Sequence, residues 1–345
     1  MITDSLLEDS SEKADKFIRS FETSRREFAK ITNKGVKNIM SLLSDFRIQA
    51  LDVLRTIGPG GNLPFEIRTL PEIQRSIDSS VAFLQSRASR ELADAMDDGF
   101  FVGGKVTTDA LNATGVPIVV PQVSPALLTV LSNRAGDIFG SNLSAVGEDI
   151  MTQVTRSAAG LQTQTQTLRK ISKIVRTTPE FIRGKNVRIR AAGKAEEIMR
   201  TEVGRAFSTA QQASSEEIAK TIPSMRKKWV NAGGIGVRRG HRKAQNDYRV
   251  GGKIGPIPIK QRFKITDFTR TGRTSFINVR GRGASKNTIH VPSRSRTGVI
   301  RVSKMLYPRD PAGSAGNVIR CRCVVIDVIK ELEVAQDQAL GIVAI

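Results

Sequence analysis

Three side chains in the C-terminal half of the sequence are of the types that bind metals or act as nucleophiles. They are His241, Cys321 and Cys323, with His290 as a further candidate. Thiolate and imidazole are common zinc ligands, but structural zinc sites normally use cysteines separated by two residues rather than one. We expect the two thiols to lie in one strand and to be directed apart. This predicts no metal and no cofactor, with buried thiols that pack a strand over 318–329.

Support for catalysis in the sequence is weak. The chain has only two histidines, and His241 lies within the basic run 238–243 with no adjacent carboxylate to orient its ring. The glycines of 233–236 are not followed by the Lys-Ser/Thr pair of a phosphate-binding loop. We therefore expect a protein that is not an enzyme. The alternative is a metal-dependent nuclease, or another DNA-processing enzyme, that uses His241, Cys321 and Cys323.

Positive charge is concentrated toward the C-terminus. Residues 1–100 carry 14 Lys and Arg against 16 Asp and Glu, whereas residues 201–345 carry 27 against 10. Residues 251–304 hold 13 of these basic residues and a single acid, Asp267. Each phosphate that a basic side chain neutralises releases counterions, so this excess predicts a surface that contacts nucleic acid. A basic surface that serves only solubility is the simpler alternative.

The basic segment favours contact with the nucleic-acid backbone over contact with bases. Its lysines and arginines are separated by Gly, Ser and Thr, which add hydroxyl and backbone donors for phosphate. Aromatic residues are only 5% of the chain, and we expect Phe263, Phe268 and Phe276 to be core residues rather than stacking platforms. The predicted DNA-binding residues are Lys253, Lys260, Arg262, Lys264, Arg270, Arg273, Arg280, Arg282, Lys286, Arg294 and Arg296.

Helical periodicity fills the first two thirds of the chain. We expect one long or two shorter helices before the Gly/Pro stop at 58–61, and another helix from Pro71 to a glycine-rich loop over 99–123. Ser124 is a good N-cap for the next helix. After a further helix over 191–221, glycines and β-branched alternation favour short strands. The predicted fold class is α+β, with a mainly helical N-terminal body followed by a mixed α+β basic C-terminal domain.

The predicted organisation has four parts and no membrane segment. Residues 1–98 are a helical region, 99–190 a loop with long helices, 191–330 an α+β domain with a basic insertion over 250–304, and 331–345 a tail. Two cysteines so close in sequence cannot form a disulfide framework, which fits a reducing compartment. No apolar run reaches the length of about 20 residues that a bilayer requires, so we expect neither secretion nor membrane insertion.

Several short motifs follow one another in a fixed order over about 195–325. They are Arg-Thr-Glu on a helix, a tryptophan leading into an Arg/His segment, a Pro-Arg-Asp-Pro run and a final Cys-Arg-Cys. The residues that carry them are Arg200, Thr201, Glu202, Trp229, Arg238, His241, Pro308, Asp310, Pro311, Cys321 and Cys323. This ordered set resembles the phage Mu protein F-like family of minor head proteins. The chain departs from the family pattern in lacking an acid before Arg238 and in having Arg320 where an asparagine is usual.

The resemblance implies a structural protein carried in few copies inside the head of a tailed bacteriophage, near the portal vertex, and made in the host cytoplasm. It implies roles in head morphogenesis and in genome packaging or ejection. The implied partners are the portal protein and packaged double-stranded DNA, with the major capsid or scaffolding protein as further candidates. The motif residues are then a structural framework. A host nucleoid or ribosome-associated protein would explain the charge but not the ordered motifs.

Overall fold

The protein has a helical body and a smaller C-terminal region of strands. The computed structural model describes residues 2–175, 191–231, 239–268, 277–280, 286–289, 300–313, 318, 321 and 323–328. The body contains α1 (Ile2–Ile57), α2 (Leu70–Ala113), α3 (Pro125–Ala158), α4 (Gln164–Ile174) and α5 (Ala191–Thr221). The C-terminal region contains β1 (Arg226–Val230), α6 (Arg239–Tyr248), β2 (Ile257–Pro258), β3 (Phe263–Phe268), β4 (Ile277–Arg280), β5 (Lys286–Ile289), β6 (Ile300–Met305) and β7 (Val324–Val328). The predicted α+β fold class, with a mainly helical N-terminal body, is confirmed. None of the helices within these ranges is long and apolar enough to cross a bilayer.

The first helix is a single rod that buries one apolar stripe. Its 56 residues span about 84 Å at 1.5 Å per residue, and the buried Phe17, Phe21 and Leu54 lie on the covered face. The helix ends where Gln164, from the start of α4, donates to the Leu54 carbonyl at 2.8 Å and accepts from the Gly60 amide at 2.5 Å. The polar Gln/Thr run therefore forms a junction that satisfies backbone groups at a helix end.

The second helix continues well past the stop that its glycines predict. We expected a loop from residue 99, but α2 runs to Ala113 without interruption. The glycines have a packing role, because α5 crosses α2 at this point. A Cβ at Gly103 would lie only 2.2 Å from the Phe207 carbonyl oxygen, and one at Gly99 would lie 3.1 Å from Val203 Cγ1. The division at residue 98 therefore falls inside a helix, and the loop is confined to the residues between α2 and α3.

The C-terminal strands form three small antiparallel sheets. The first sheet has three strands in the order β2-β1-β7. Its central strand β1 pairs with β7 so that Arg226 lies opposite Val328 and Val230 lies opposite Val324. The other two sheets are the pairs β3-β6 and β4-β5. Apolar residues of β1 and β7 pack against α1, α2 and α5 in a shared core that includes Phe207 and Ile326. The strands are thus attached directly to the helical body.

A buried polar cluster also joins the two regions. Asp327 on β7 is fully buried and accepts hydrogen bonds from Thr107 on α2 and Ser215 on α5. Lys227 on β1 is equally buried and donates to Gln212 Oε1 on α5 at 2.9 Å. Because unpaired buried polar groups are unfavourable, these partners fix the position of the sheet on the helices.

Candidate functional site

The three residues with metal-binding chemistry come together in the structure. His241 is at the start of α6, and its Nδ1 lies 3.2 Å from Cys323 Sγ and 3.5 Å from Cys321 Sγ. All three ligand atoms are within 4.8 Å of one another. The side chains are buried, with 1%, 4% and 2% exposure for His241, Cys321 and Cys323. We call this arrangement the His/Cys cluster.

The expectation that the two thiols are directed apart was wrong. Both cysteines precede β7, which begins at Val324, and residues two apart on an extended chain point to the same side in any case. Both thiols are free rather than joined in a disulfide. The spacing of the two cysteines therefore does not exclude a metal, because both thiols approach the same imidazole nitrogen.

Arg309 lies directly beside the cluster and was not among the residues predicted from the sequence. Its guanidinium is fully buried and donates to the carbonyl oxygens of Cys321 at 2.8 Å and Gly204 at 2.9 Å, and to Ser208 Oγ at 3.0 Å. A Cβ at position 204 would lie 2.5 Å from Arg309 Nε, so glycine provides the space for this side chain. Arg309 also has a positive φ of 69°, which is rare for an arginine.

The electrostatics of the cluster favour one ionised sulfur. The pKa of Cys321 lies well below its ordinary value, mainly because of a hydrogen bond with Cys323. His241 and Arg309 lower this pKa further. The same hydrogen bond, together with burial, raises the pKa of Cys323. Burial also lowers the pKa of Arg309, and the two sulfurs oppose that shift. The cluster is therefore a pair of thiols of which Cys321 is the more readily deprotonated.

Two further motif residues, Glu202 and Asp310, take part in buried hydrogen-bond networks beside Arg309. Glu202 and Arg205 on α5 form a buried ion pair, as their spacing predicts, and Arg205 Nε donates to the Arg309 carbonyl at 3.1 Å. Asp310 accepts from the backbone amides of Leu306 at 2.6 Å and Ala312 at 2.9 Å, which closes the turn after β6.

The remaining members of the motif set have varied surroundings. Arg200 pairs with Glu196 at 2.8 Å and donates to Asn33 on α1. Thr201, Trp229 and Pro308 are buried, whereas Pro311 is exposed and Arg238 is outside the described residues. Among the described motif residues, Cys321 contacts Arg309 directly and Glu202 is linked to it through Arg205.

The predicted DNA-binding residues that are described lie at the surface. Lys253, Lys260, Arg262 and Lys264 are exposed. Lys264 on β3 stands directly opposite Lys304 on β6, and both side chains are exposed on the same face of this two-stranded sheet. Phe263 is fully buried against Trp229 and Tyr248, as a core residue should be.

Other predicted basic residues can be placed only by their backbone or not at all. Arg280 and Lys286 are register partners in the β4-β5 pair, so two like charges again occupy opposite positions. Residues that fall outside the described part of the chain are Arg270, Arg273, Arg282, Arg294 and Arg296.

Comparison of the chain with models of protein families, with curated proteins and with solved structures gave no match. The resemblance to the phage Mu protein F-like family therefore stays a prediction that depends on the ordered motifs.

Proposed function

We propose that the protein is a minor head protein of a tailed bacteriophage, positioned near the portal inside the head, where its basic C-terminal region contacts packaged DNA. The helical body makes the protein–protein contacts, and the DNA contacts are independent of base sequence. The family resemblance supplies the context for this proposal. The observation that carries the DNA contact is the exposed pair of opposing lysines, Lys264 and Lys304, on the β3-β6 sheet.

Two lysines in this position repel each other unless an anion lies near them. Directly opposite residues of an antiparallel pair have Cβ atoms about 5 Å apart, and like charges there destabilise the sheet. The charges themselves are on ammonium groups at the ends of flexible, exposed side chains, so the repulsion is small, at most about 1 kcal/mol. A phosphate bound between the two ammonium groups would remove this repulsion. Arg262 extends the same surface, although Asp310, at 3.3 Å, partly neutralises its charge.

The structure favours phosphate contact over base recognition. Base stacking on single strands needs exposed aromatic rings beside the basic side chains, and the one aromatic ring among the described side chains of β3 and β6, Phe263, faces the core. The opposing Lys264 and Lys304 present ammonium groups, which bind phosphate as point charges, and the Arg262 guanidinium beside them is already paired with Asp310. Duplex DNA of any sequence is therefore the ligand that this surface fits.

The helical body has apolar side chains available for protein partners. Val119 is 90% exposed and Val130 is 68% exposed, and Val120 and Leu127 between them are also exposed. They lie in one stretch, from the loop before α3 into its first turns. Neighbouring exposed apolar residues are typical of surfaces that meet another protein, and we assign the portal contact to this stretch.

The nuclease alternative draws on the same His/Cys cluster. The cluster could hold a metal, but its side chains are at most 4% exposed, and a phosphodiester must reach the metal to be cleaved. Its burial favours a structural role.

Salt-dependent binding of duplex DNA tests the proposal. If six or more phosphates are contacted, the affinity of the full chain should fall about a thousandfold or more between 50 and 200 mM salt. Replacing both Lys264 and Lys304 by Gln should weaken binding to all sequences alike and lower the salt slope by about 2. The matched control replaces the exposed Lys30 and Lys34 of α1 by Gln, which removes the same charge and should change the slope little.

Two results would contradict the proposal. One is binding that does not respond to salt. The other is an equal loss of affinity from both double substitutions, because net charge rather than the β3-β6 surface would then govern binding.

A further inference from the structure

The two distances from His241 Nδ1 to the cysteine sulfurs match those of an occupied zinc site. In a tetrahedral site, Zn–S distances of about 2.3 Å and Zn–N distances of about 2.0 Å place sulfur and nitrogen about 3.5 Å apart. The observed separations from His241 Nδ1 are 3.2 Å to Cys323 Sγ and 3.5 Å to Cys321 Sγ. One small ion could therefore contact all three atoms with only slight side-chain movement.

Hydrogen bonding alone does not account well for this arrangement. A ring nitrogen such as Nδ1 carries either one hydrogen or one lone pair in the ring plane, so it can make one good hydrogen bond. Here two sulfurs, which also hydrogen-bond to each other, both lie within contact distance of Nδ1. A cation at the centre would be bound by the imidazole and by both sulfurs at once.

We propose that His241, Cys321 and Cys323 bind a zinc ion. Soft thiolate and imidazole ligands in a tetrahedral arrangement select zinc over harder cations such as magnesium and calcium. Both thiols lose their protons when the ion binds, so two thiolates balance the charge of the dication. The fourth position is open to water or to another small ligand.

The surroundings of the cluster suit a bound metal. Cys321 and Arg309 both line a cavity of about 550 Å³, which gives an ion and water access to one side of the cluster. Arg309 donates to the Cys321 carbonyl and fixes that segment of backbone. The edge of Trp229 packs on the His241 ring, with centroids 5.4 Å apart, and holds its orientation. Such neighbours orient metal ligands and tune their affinity.

A zinc ion here would add a link between α6 and a sheet that already pack together. His241 belongs to α6, and the two cysteines lead into β7, which pairs with β1. The ion would tie α6 to this sheet inside a small core formed by Trp229, Tyr248 and Phe263. We therefore assign the zinc a role in holding α6 to this sheet, with three protein ligands and water in place of the fourth protein ligand that structural sites usually have.

Metal analysis with a matched histidine control tests this inference. The purified full chain, loaded with zinc and dialysed, should retain about one zinc ion per chain. His241→Ala, Cys321→Ser and Cys323→Ser should each lower zinc content to a small fraction of this value. His290→Ala removes the other histidine of the chain and should leave zinc content unchanged.

Cobalt replacement gives a second readout that requires no substitution. The wild-type chain with Co²⁺ in place of zinc should show the thiolate charge-transfer absorption and the strong visible bands of a tetrahedral site. The inference is overturned by zinc below about a tenth of an equivalent, by zinc that persists in the two serine variants, or by cobalt spectra without thiolate bands. None of these results would affect the salt-dependent DNA binding, so the two proposals fail independently.

Discussion

The crossing of α2 and α5 can be tested by adding a single methyl group. In the interior of an ordinary helix, replacing glycine by alanine stabilises a protein by about 1 kcal/mol, because alanine has the higher helix propensity. We expect the opposite at Gly103. Here the new Cβ would lie 2.2 Å from the Phe207 carbonyl oxygen and 2.9 Å from its Cα. Ordinary contact begins at 3.4 Å, so the two helices would have to separate by about 1 Å. Backbone atoms cannot rotate away as a flexible side chain can.

We expect Gly103→Ala to lower the free energy of unfolding by about 1 to 3 kcal/mol, which is the usual cost of overpacking. Gly136→Ala on α3 is the matched control, since a Cβ there meets nothing within 4 Å. That substitution should raise the free energy of unfolding by about 1 kcal/mol. Urea denaturation followed by circular dichroism measures both. If Gly103→Ala raises the free energy of unfolding as Gly136→Ala does, the close approach of α2 and α5 is refuted.

Two further predictions concern buried charges. Burial lowers the pKa of Lys227 to about 7, against 10.5 in the unfolded chain. Between about pH 7 and 10.5, the Lys227 amine carries a proton in the unfolded chain but not in the folded one. The free energy of unfolding should therefore rise with pH over this range, by about 3 to 5 kcal/mol relative to Lys227→Met. Parallel pH profiles of the two proteins would contradict this. Glu202→Gln leaves the Arg205 charge buried without its carboxylate and should cost about 3 to 5 kcal/mol in urea denaturation. The half-exposed pair of Glu196 with Arg200 provides the control, and Glu196→Gln should cost less than about 1 kcal/mol. Equal losses from the two Gln variants would show that the Glu202 pair is not desolvated.

Helices were predicted correctly where capping residues or apolar periodicity mark them in the sequence. Ser124 before Pro125 marked the start of α3, and the apolar spacing from Ala191 to Thr221 marked α5. The end of α2 was predicted wrongly because glycine can have either of two structural roles in a helical sequence. It can stop a helix, or it can allow another helix to approach, and only the tertiary structure shows that Phe207 packs over Gly103.

The candidate site was less predictable because its contacts are distant in sequence. His241 and Cys323 are 82 residues apart, and Arg309 reaches back 105 residues to Gly204. The residue types pointed to the cluster, but the expected direction of the thiols was wrong. Lys227 was not predicted as a buried residue, because no signal in Arg-Lys-Lys-Trp distinguishes a lysine that faces α5 from one that faces solvent.

Protease protection in purified phage heads tests the central claim most directly. We expect the chain to co-sediment with DNA-filled heads, to resist added protease while the heads are intact, and to become sensitive when osmotic shock opens them. Absence of the chain from the heads, with sedimentation alongside the host nucleoid or ribosomes, would contradict a place inside the head.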